Sequence, residues 1–174
     1  MRIIAGKARS LPLKTISGLD TRPTTDRVKE TLFNMLNPFL PDCHFLDLFA
    51  GSGQIGLEAV SRGAQKAVFV ENSKKAAACI EENILFTKFT ENCTLLRKDA
   101  VFAIRWMEGR EDFDIVFMDP PYDRNLEADV LQALSSSAII HEGSLVIVEA
   151  SLNTDLSYAV DFGYEITKEK AYKT

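Results

Sequence analysis

The chain beyond Asp42 alternates short apolar runs with stretches of helical periodicity, and this alternation constrains its fold more than any other feature. The runs are His44–Phe49, Lys66–Val70, Cys93–Arg97, Asp114–Met118 and Leu145–Glu149. Continuous apolar runs of this kind are typical of strands buried on both faces, as in a parallel sheet. Because helical stretches separate them, we predict an α/β domain with helices on both faces of the sheet.

Five helices are predicted around these strands. The first begins after Thr24 or Thr25 and reaches about Asn37, with Arg27 and Lys29 directed towards solvent. The second helix ends near Gly63, and the third begins after the cap Ser73. The fourth continues through Trp106, and the fifth spans about Glu127–Leu134.

The two ends of the chain differ from the alternating middle. Residues 1–23 are predicted to form a basic extension, a short irregular hairpin or sheet edge that belongs to the same domain as residues 24–174. The tail, Tyr164–Lys173, alternates enough for one or two further strands. With 174 residues in all, one domain is the natural expectation.

Composition limits the classes of protein to consider. The apolar share is 46% and the charged share 26%, which is ordinary for a globular protein, and no apolar run approaches the roughly 18 residues of a membrane span. The amino terminus has too short an apolar part for a signal peptide, so we expect a cytoplasmic location and no membrane partner. Cys43, Cys79 and Cys93 are scattered, which argues against a disulfide framework and a zinc site. We expect no metal.

The charge is divided unevenly along the chain. The net charge is -5, yet residues 1–29 carry seven basic and two acidic side chains, so the rest of the chain is strongly acidic. A basic arm on an acidic body can direct a polyanion such as a nucleic acid to one edge of the protein. A solvated charged face is the alternative. The candidate contacts are Arg2, Lys7, Arg9, Arg22, Thr24 and Arg27.

The stretch Asp119-Pro120-Pro121-Tyr122 directly follows a predicted strand and is the strongest candidate for chemistry. Two prolines deny the backbone a helix and produce a rigid cup. In that cup the Asp119 carboxylate and the Pro120 carbonyl can accept the hydrogens of an amine, while the Tyr122 ring stacks on a flat base. A strand-ending acid that merely caps a turn is the alternative.

A glycine-rich turn follows the first predicted strand. Gly51 to Gly56 matches G-x-G-x-x-G, and Glu71 follows Gly51 at the spacing of a ribose-binding acid, so a nicotinamide or flavin dehydrogenase is a fair interpretation of these residues alone. Asp47 argues against a dehydrogenase, because its carboxylate would repel a pyrophosphate and attract an ammonium.

Two further acids complete the description of a ligand. Glu71 can accept hydrogen bonds from both ribose hydroxyls, and Asp99 can accept one from the exocyclic amine of an adenine. Together with Asp47, these residues suit S-adenosylmethionine, which joins a nucleoside to an amino acid. Asp99 as a plain helix cap is the alternative. The candidate cofactor-binding residues are Asp47, Phe49, Ala50, Gly51, Ser52, Gly53, Glu71, Asn72, Asp99 and Ala100.

The two motifs Asp47–Gly53 and Asp119–Tyr122, in this order, resemble those of class I methyltransferases that act on an exocyclic amine. The segment Arg22–Asn34 narrows the resemblance to the RsmD-type bacterial methyltransferases, and the similarity runs from Arg2 onward over essentially the whole chain. This resemblance implies a Rossmann-like fold with a seven-stranded, mostly parallel sheet. Members of the family are expected to continue a few residues beyond the position of Thr174.

The resemblance also implies an activity. S-adenosylmethionine donates a methyl group to N2 of a guanine in 16S ribosomal RNA, with S-adenosylhomocysteine as product, and Asp119, Pro120, Pro121 and Tyr122 are catalytic. The expected enzyme is a monomer that acts on 16S ribosomal RNA, free or within a small subunit or an assembly intermediate. A DNA adenine-N6 methyltransferase, a nicotinamide-dependent oxidoreductase and a non-catalytic RNA-binding subunit are the alternatives.

Overall fold

The computed structural model describes residues 1–18, 24–122 and 124–172. Five helices and five strands alternate in it as the sequence pattern predicts. The helices are α1 (Asp26–Leu36), α2 (Gln54–Ser61), α3 (Lys74–Thr87), α4 (Ala100–Met107) and α5 (Leu126–Ser135), and the strands are β1 (His44–Leu48), β2 (Lys66–Val70), β3 (Cys93–Leu96), β4 (Phe113–Met118) and β5 (Ile140–Val148). None of the described helices is long and apolar enough to span a membrane.

The strands form one sheet in the order β3-β2-β1-β4-β5, and each neighbouring pair is parallel. The order reverses between β1 and β4, where Leu48 lies opposite Met118. In an open α/β sheet, such a reversal leaves a crevice at the carboxyl ends of the two strands, where ligands bind.

Helices cover both faces of this sheet and define two cores. The first core lies between the sheet and α1, α2 and α3, and the second lies between the sheet and α4 and α5. Successive strand residues alternate between them, as Phe45 in the first core and Leu46 in the second illustrate. The predicted fold class is therefore correct.

The predicted number of seven strands is wrong, because the sheet of the described residues has five. After β5 the chain forms a short 3₁₀ helix, Ser157–Phe162, and the Tyr164 hydroxyl then donates to the carbonyl of Leu131 in α5, at 2.6 Å. This bond holds the tail against α5, and residues 165–171 are exposed. An alternating pattern with no apolar face to bury does not form a strand.

The N-terminal segment folds back on itself and onto α1 and α2. The Ile3 amide donates to the Leu11 carbonyl at 3.0 Å, and an isolated antiparallel bridge joins Arg2 to Pro12. Ile3 and Leu13 are buried in the first core. The segment is thus packed against the domain rather than loosely attached to it.

A buried ionic cluster holds this segment in place. The carboxylate of Glu58, on α2, accepts the backbone amides of Ile4 and Ala5 at 2.9 and 3.0 Å. It also pairs with Arg62 at 2.8 Å and with Lys29 at 3.6 Å. Both the Glu58 and the Lys29 side chain are 0% exposed, so the prediction that Lys29 faces solvent is wrong. The lysine turns inward because its ammonium donates to the Arg2 carbonyl and forms an ion pair with the Glu58 carboxylate.

Candidate functional site

Acidic side chains lie at the carboxyl ends of neighbouring strands. Phe69 of β2 and Phe117 of β4 belong to the first core, so alternation directs Asp47, Glu71 and Asp119 to that same face of the sheet. Because neighbouring strands lie about 4.8 Å apart, Glu71 and Asp119 lie on either side of β1 at the crevice, and Asp47, which is level with Phe69 and Phe117, lies between them and two residues deeper. We call these carboxylates the row. The structure therefore brings together three of the acids that the sequence singled out.

The glycine-rich turn joins β1 to α2 beside this row. Phe49, Gly51 and Gly53 have φ values of 58°, 59° and 82°, in the left-handed region that favours glycine. A Cβ added to Gly51 would meet no atom within 4 Å, so the space in front of this turn is open. At Gly56, in contrast, an added Cβ would lie 2.4 Å from the Phe69 ring, so this glycine allows close packing of α2 on β2.

The turn is also fixed by hydrogen bonds to its other residues. The Ala50 amide donates to the Val70 carbonyl at 3.0 Å, and the buried Asn83 side chain donates to the Ser52 carbonyl at 2.9 Å. The Asn83 side chain also accepts the Lys14 amide at 2.8 Å and donates to the Lys14 carbonyl at 3.1 Å. The sequence analysis did not identify Asn83, although it is a polar residue on the apolar side of an amphipathic helix.

Asp47 is 1% exposed, and its carboxylate accepts the Gly56 amide at 2.9 Å. Burial raises the pKa of Asp47 well above its usual range, and the neighbouring carboxylates of Asp119 and Glu71 raise it further. The geometry thus gives Asp47 one clear task, which is to hold the first turn of α2 against β1. Contact with a ligand ammonium stays a prediction.

Glu71 is half-buried at the end of β2 and holds the turn from the other side. One of its carboxylate oxygens accepts the Gly51 amide at 2.8 Å, and the other accepts the Ser73 amide at 3.0 Å. A carboxylate oxygen has two acceptor positions, so each oxygen retains one for a ligand hydroxyl. Asn72, the next residue, is exposed beside it.

Asp99 is exposed and caps α4, because its side chain accepts the Phe102 amide at 2.8 Å. The alternative interpretation of this residue as a helix cap is therefore present in the structure. Ala100, the first residue of α4, is buried. An adenine contact by the second carboxylate oxygen of Asp99 stays a prediction.

The Asp119–Tyr122 segment leaves β4 at one end of this row. Asp119 is half-buried, Pro120 is buried, and Pro121 and Tyr122 are exposed, with 48% of the tyrosine accessible. Burial raises the pKa of Asp119 to about 7, and the nearby charge of Glu149 contributes to the rise. Within the described residues, no lysine or arginine forms an ion pair with Asp119.

Glu149 extends the row to a fourth strand, and the sequence analysis did not identify it as a site residue. Its amide donates to the Met118 carbonyl at 2.9 Å, which places Glu149 directly beside Asp119. Ile147 packs on the first core and Val148 on the second, so alternation directs Glu149 to the same face as Asp119. Burial also raises the pKa of Glu149.

The predicted nucleic-acid contacts lie in different settings. Arg2 is exposed but pairs with Asp26 at 3.1 Å, and Thr24 is half-buried before α1. Lys7, Arg9 and Arg27 are exposed. Arg22 lies outside the described residues. Neighbouring Thr25, rather than Thr24, caps α1 by accepting the Val28 amide at 3.3 Å.

Comparison with known proteins extends the likeness beyond these motifs. A family model described as conserved hypothetical protein 95 matches residues 1–174. Ribosomal RNA small subunit methyltransferase D of Haemophilus influenzae is 37% identical over 159 residues, which cover 90% of this chain and 81% of that protein. The protein of the same name from Escherichia coli K12 is 35% identical over 172 residues, or 98% of this chain and 84% of that protein.

Two solved structures share the fold over nearly the same length. The yhhF protein of Escherichia coli, provisionally named a methyltransferase, superposes with a TM-score of 0.84 at 33% identity and covers 99% of this chain and 92% of its own. A hypothetical protein of Thermus thermophilus superposes with a TM-score of 0.81 at 32% identity and covers 90% of each chain. The likeness thus includes the N-terminal segment as well as the glycine-rich turn.

Proposed function

The chain belongs to the family of conserved hypothetical protein 95, that of the RsmD-type methyltransferases, and on that premise we propose that it transfers a methyl group from S-adenosylmethionine to N2 of a guanine in small-subunit ribosomal RNA. The observation that carries the proposal is the half-buried Asp119 carboxyl, without a cationic partner in the described structure, at the reversal point of the sheet and followed by Pro120, Pro121 and Tyr122. The names of the relatives support ribosomal RNA as the substrate class. The choice of N2 of guanine rests on the resemblance of the motifs.

The residues at the crevice fit S-adenosylmethionine better than a dinucleotide. The open space in front of Gly51 admits a ligand against the backbone of the turn. Glu71 and the ionised form of Asp119 present negative charge there, which suits an ammonium and a sulfonium and opposes a pyrophosphate, and the buried Asp47 would add to that charge when it ionises. Glu71 would hold the ribose hydroxyls and Asp99 the adenine amine. When bound, the cofactor supplies a methyl group on a sulfonium that is already a good leaving group.

The task of the protein is then alignment and the exclusion of water. An exocyclic amine is a weak nucleophile because its lone pair is delocalised into the ring. Asp119 and the Pro120 carbonyl accept the two amine hydrogens, which favours a pyramidal nitrogen and stabilises the positive charge that develops on it. With a pKa of about 7, Asp119 is also suited to take up the proton that the methylated amine releases.

Tyr122 and the basic segment would hold the nucleic acid. The exposed Tyr122 ring would stack on the extruded base, a contact worth roughly 1 to 3 kcal/mol. Lys7, Arg9 and Arg27 are exposed cations for phosphates, and Arg2 would exchange its contact with Asp26 for one with RNA.

Replacing Lys7 and Arg9 with glutamine should weaken RNA binding and reduce the slope of log K against log salt by about one for each lost phosphate contact. Cofactor affinity should not change.

Mapping the labelled nucleotide tests the proposed function directly. The protein is incubated with methyl-labelled S-adenosylmethionine and small-subunit ribosomal RNA, with and without its bound ribosomal proteins. We expect label on N2 of a single guanine. Label on an adenine amine, or on DNA in preference to RNA, would overturn the assignment.

Ligand titration separates the two cofactor classes. We expect S-adenosylhomocysteine to bind and NAD not to bind, because the acidic side chains beside the glycine-rich turn would repel a pyrophosphate. Binding of NAD without binding of S-adenosylhomocysteine would indicate an oxidoreductase instead.

A further inference from the structure

The position of Glu149 relative to Asp119 is fixed by the sheet. The two residues directly follow paired strands, Met118 lies opposite Val148, and the Glu149 amide binds the Met118 carbonyl at 2.9 Å. Adjacent parallel strands lie about 4.8 Å apart, so two side chains that leave them on the same face lie side by side. Both side chains extend well beyond their Cβ atoms, so their carboxyl groups can converge on neighbouring donors of one base, which lie closer together than the two strands do.

The row of acids is divided by Asp119 into two parts. Asp47 and Glu71 lie on the side of the glycine-rich turn, where Glu71 accepts the Gly51 amide of the turn and Asp47 accepts the Gly56 amide in the first turn of α2. Glu149 lies on the opposite side of Asp119, at the end of β5, which pairs with β4 at the edge of the sheet. In the proposed function the cofactor occupies the first part, so Glu149 is left facing the base whose amine Asp119 holds.

The chemistry of the amino-bearing bases differs in what lies next to the amine. In guanine, the 2-amino group is adjacent to N1–H, a hydrogen-bond donor. In adenine, the 6-amino group is adjacent to N1 and faces N7, which are both acceptors. In cytosine, the 4-amino group is adjacent to N3, an acceptor, and to a carbon. A second acceptor beside Asp119 therefore complements guanine alone.

We propose that Glu149 selects guanine by accepting a hydrogen bond from N1–H while Asp119 and the Pro120 carbonyl accept those of the 2-amino group. The inference rests on the proposed function, since it assigns a specificity residue within that site. An adenine or a cytosine at the same place would turn a ring-nitrogen lone pair towards the Glu149 carboxylate and leave that carboxylate without its hydrogen bond. A site that hydrogen-bonds a substrate N–H strongly rejects a substrate that lacks it.

The experiment changes both partners of the proposed bond. Once the labelled guanine has been mapped, RNA fragments are prepared with guanine or with 2-aminopurine at that position. 2-Aminopurine retains the 2-amino group but has a bare N1 in place of N1–H. For the wild-type protein we expect kcat/KM for the guanine fragment to exceed that for the 2-aminopurine fragment by on the order of 100-fold or more.

Three variants of the protein complete the comparison. Glu149→Gln has nearly the same shape, and its amide can present either an oxygen to N1–H or an NH₂ to a bare N1, so we expect the preference for guanine to fall to about tenfold or less. Glu149→Asp keeps a carboxylate and should keep the direction of the preference at a lower rate. Glu142→Gln is the matched control, since Glu142 is an exposed acid near the opposite end of β5. It should not alter the preference.

The outcomes separate this inference from the proposed function. If the wild-type protein labels no ribosomal RNA, or labels an adenine or cytosine, the proposed function fails and the inference with it. If the wild-type protein labels guanine and Glu149→Gln retains the full preference over 2-aminopurine, the proposed function stands and the inference is overturned. Binding of S-adenosylhomocysteine by each variant verifies that the site is folded, so a uniform loss of rate without a change in preference also counts against Glu149 as the specificity residue.

Discussion

Two regions of this protein withdraw carboxylates from water, and they do so in opposite ways. At the N-terminal segment, Glu58 is fully buried but meets two cations, Lys29 and Arg62, and two backbone amides. At the carboxyl ends of β4 and β5, the side chains of Asp119 and Glu149 are half-buried, and no lysine or arginine of the described structure pairs with them.

The difference indicates what each region is for. A buried charge without a partner costs free energy, and folding alone offers no return for that cost. The compensated cluster around Glu58 fixes the N-terminal segment against α2, which is a structural task. The uncompensated row has acceptor capacity to spare, which suits ligands that carry positive charge or amine hydrogens. Substitutions in the two regions should therefore separate stability from activity.

The largest effect is expected in the compensated region. Glu58→Gln leaves the buried Lys29 and Arg62 without a counter-charge, and breaking a buried pair in this way typically costs about 3 to 5 kcal/mol in the free energy of unfolding. Urea denaturation measures the loss. The control is Glu81→Gln, which breaks the exposed pair between Glu81 and Arg97 and should cost less than about 1 kcal/mol. An equal, small loss in both variants would contradict the structural role of the cluster.

The next effect concerns the uncompensated row and should appear in activity instead. Asp119→Asn removes the acceptor of an amine hydrogen and places a donor there, so we expect kcat to fall by about 100- to 1,000-fold, while the fold remains intact. Methyl transfer to ribosomal RNA is the measurement, with the midpoint of urea unfolding alongside it. Asp112→Asn alters an exposed acid just before β4 and should leave turnover unchanged. Near-normal turnover of Asp119→Asn would remove Asp119 from the mechanism.

The same residue should show that the row opposes stability. Burial and Glu149 raise the pKa of Asp119 from 3.8 to about 7, so the folded state holds this proton over a range of pH in which the unfolded state has released it. Stability therefore falls as the pH rises from about 4 to 7, and the full cost is present above pH 7. Asp47 and Glu149 flank Asp119, and their negative charges, once they ionise, oppose the ionisation of Asp119.

Asp119→Asn removes this titration, so it should be more stable than the wild-type protein at pH 8, by on the order of 2 kcal/mol once water access to a half-buried group is considered. The advantage should shrink as the pH falls and disappear below about pH 4. Urea unfolding at pH 5, 6.5 and 8 measures the trend. An advantage that does not depend on pH would mean that ionisation of Asp119 is not its cause.

The sequence could predict the strands and the acids that follow them because both depend on local pattern. Continuous apolar runs specify β1 to β5, and an acid directly after such a run, as at Glu71 or Asp119, lies at the edge of the sheet by geometry alone. The same rule applies to Glu149, which was assigned to the strand itself and therefore overlooked. Its pairing with Asp119 becomes visible only when the strand order is known, because β4 and β5 are joined through α5.

The rest depends on contacts between distant parts of the chain. Nothing local in α1 indicates that Lys29 turns inward to Glu58, which is separated from it by the rest of α1, by β1 and by the first half of α2. The tail illustrates the same limit, since its alternation predicts a strand whereas Tyr164 binds the Leu131 carbonyl of α5 and residues 165–171 stay exposed. The bond that Asp47 accepts from the Gly56 amide likewise follows from three-dimensional distances, whereas the local cap at Asp99 was visible in the sequence.

The smallest effect is expected at Asp99, where the observed helix cap and the proposed contact with adenine would share one carboxylate. As the N-cap of α4, Asp99 accepts the Phe102 amide, and loss of such a cap in Asp99→Ala costs about 1 kcal/mol of stability. Asp99→Ser retains a cap oxygen but removes the carboxylate, so it should restore stability without restoring a contact to adenine. We expect the affinity of Asp99→Ser for S-adenosylhomocysteine, measured by calorimetry, to fall by roughly fivefold, which corresponds to one hydrogen bond. Thr25→Ala, which removes the cap of α1, should lower stability by a similar amount and leave that affinity unchanged. Unchanged affinity in Asp99→Ser would assign Asp99 to the structural class, with Glu58, and would confine the functional row to Asp47, Glu71, Asp119 and Glu149.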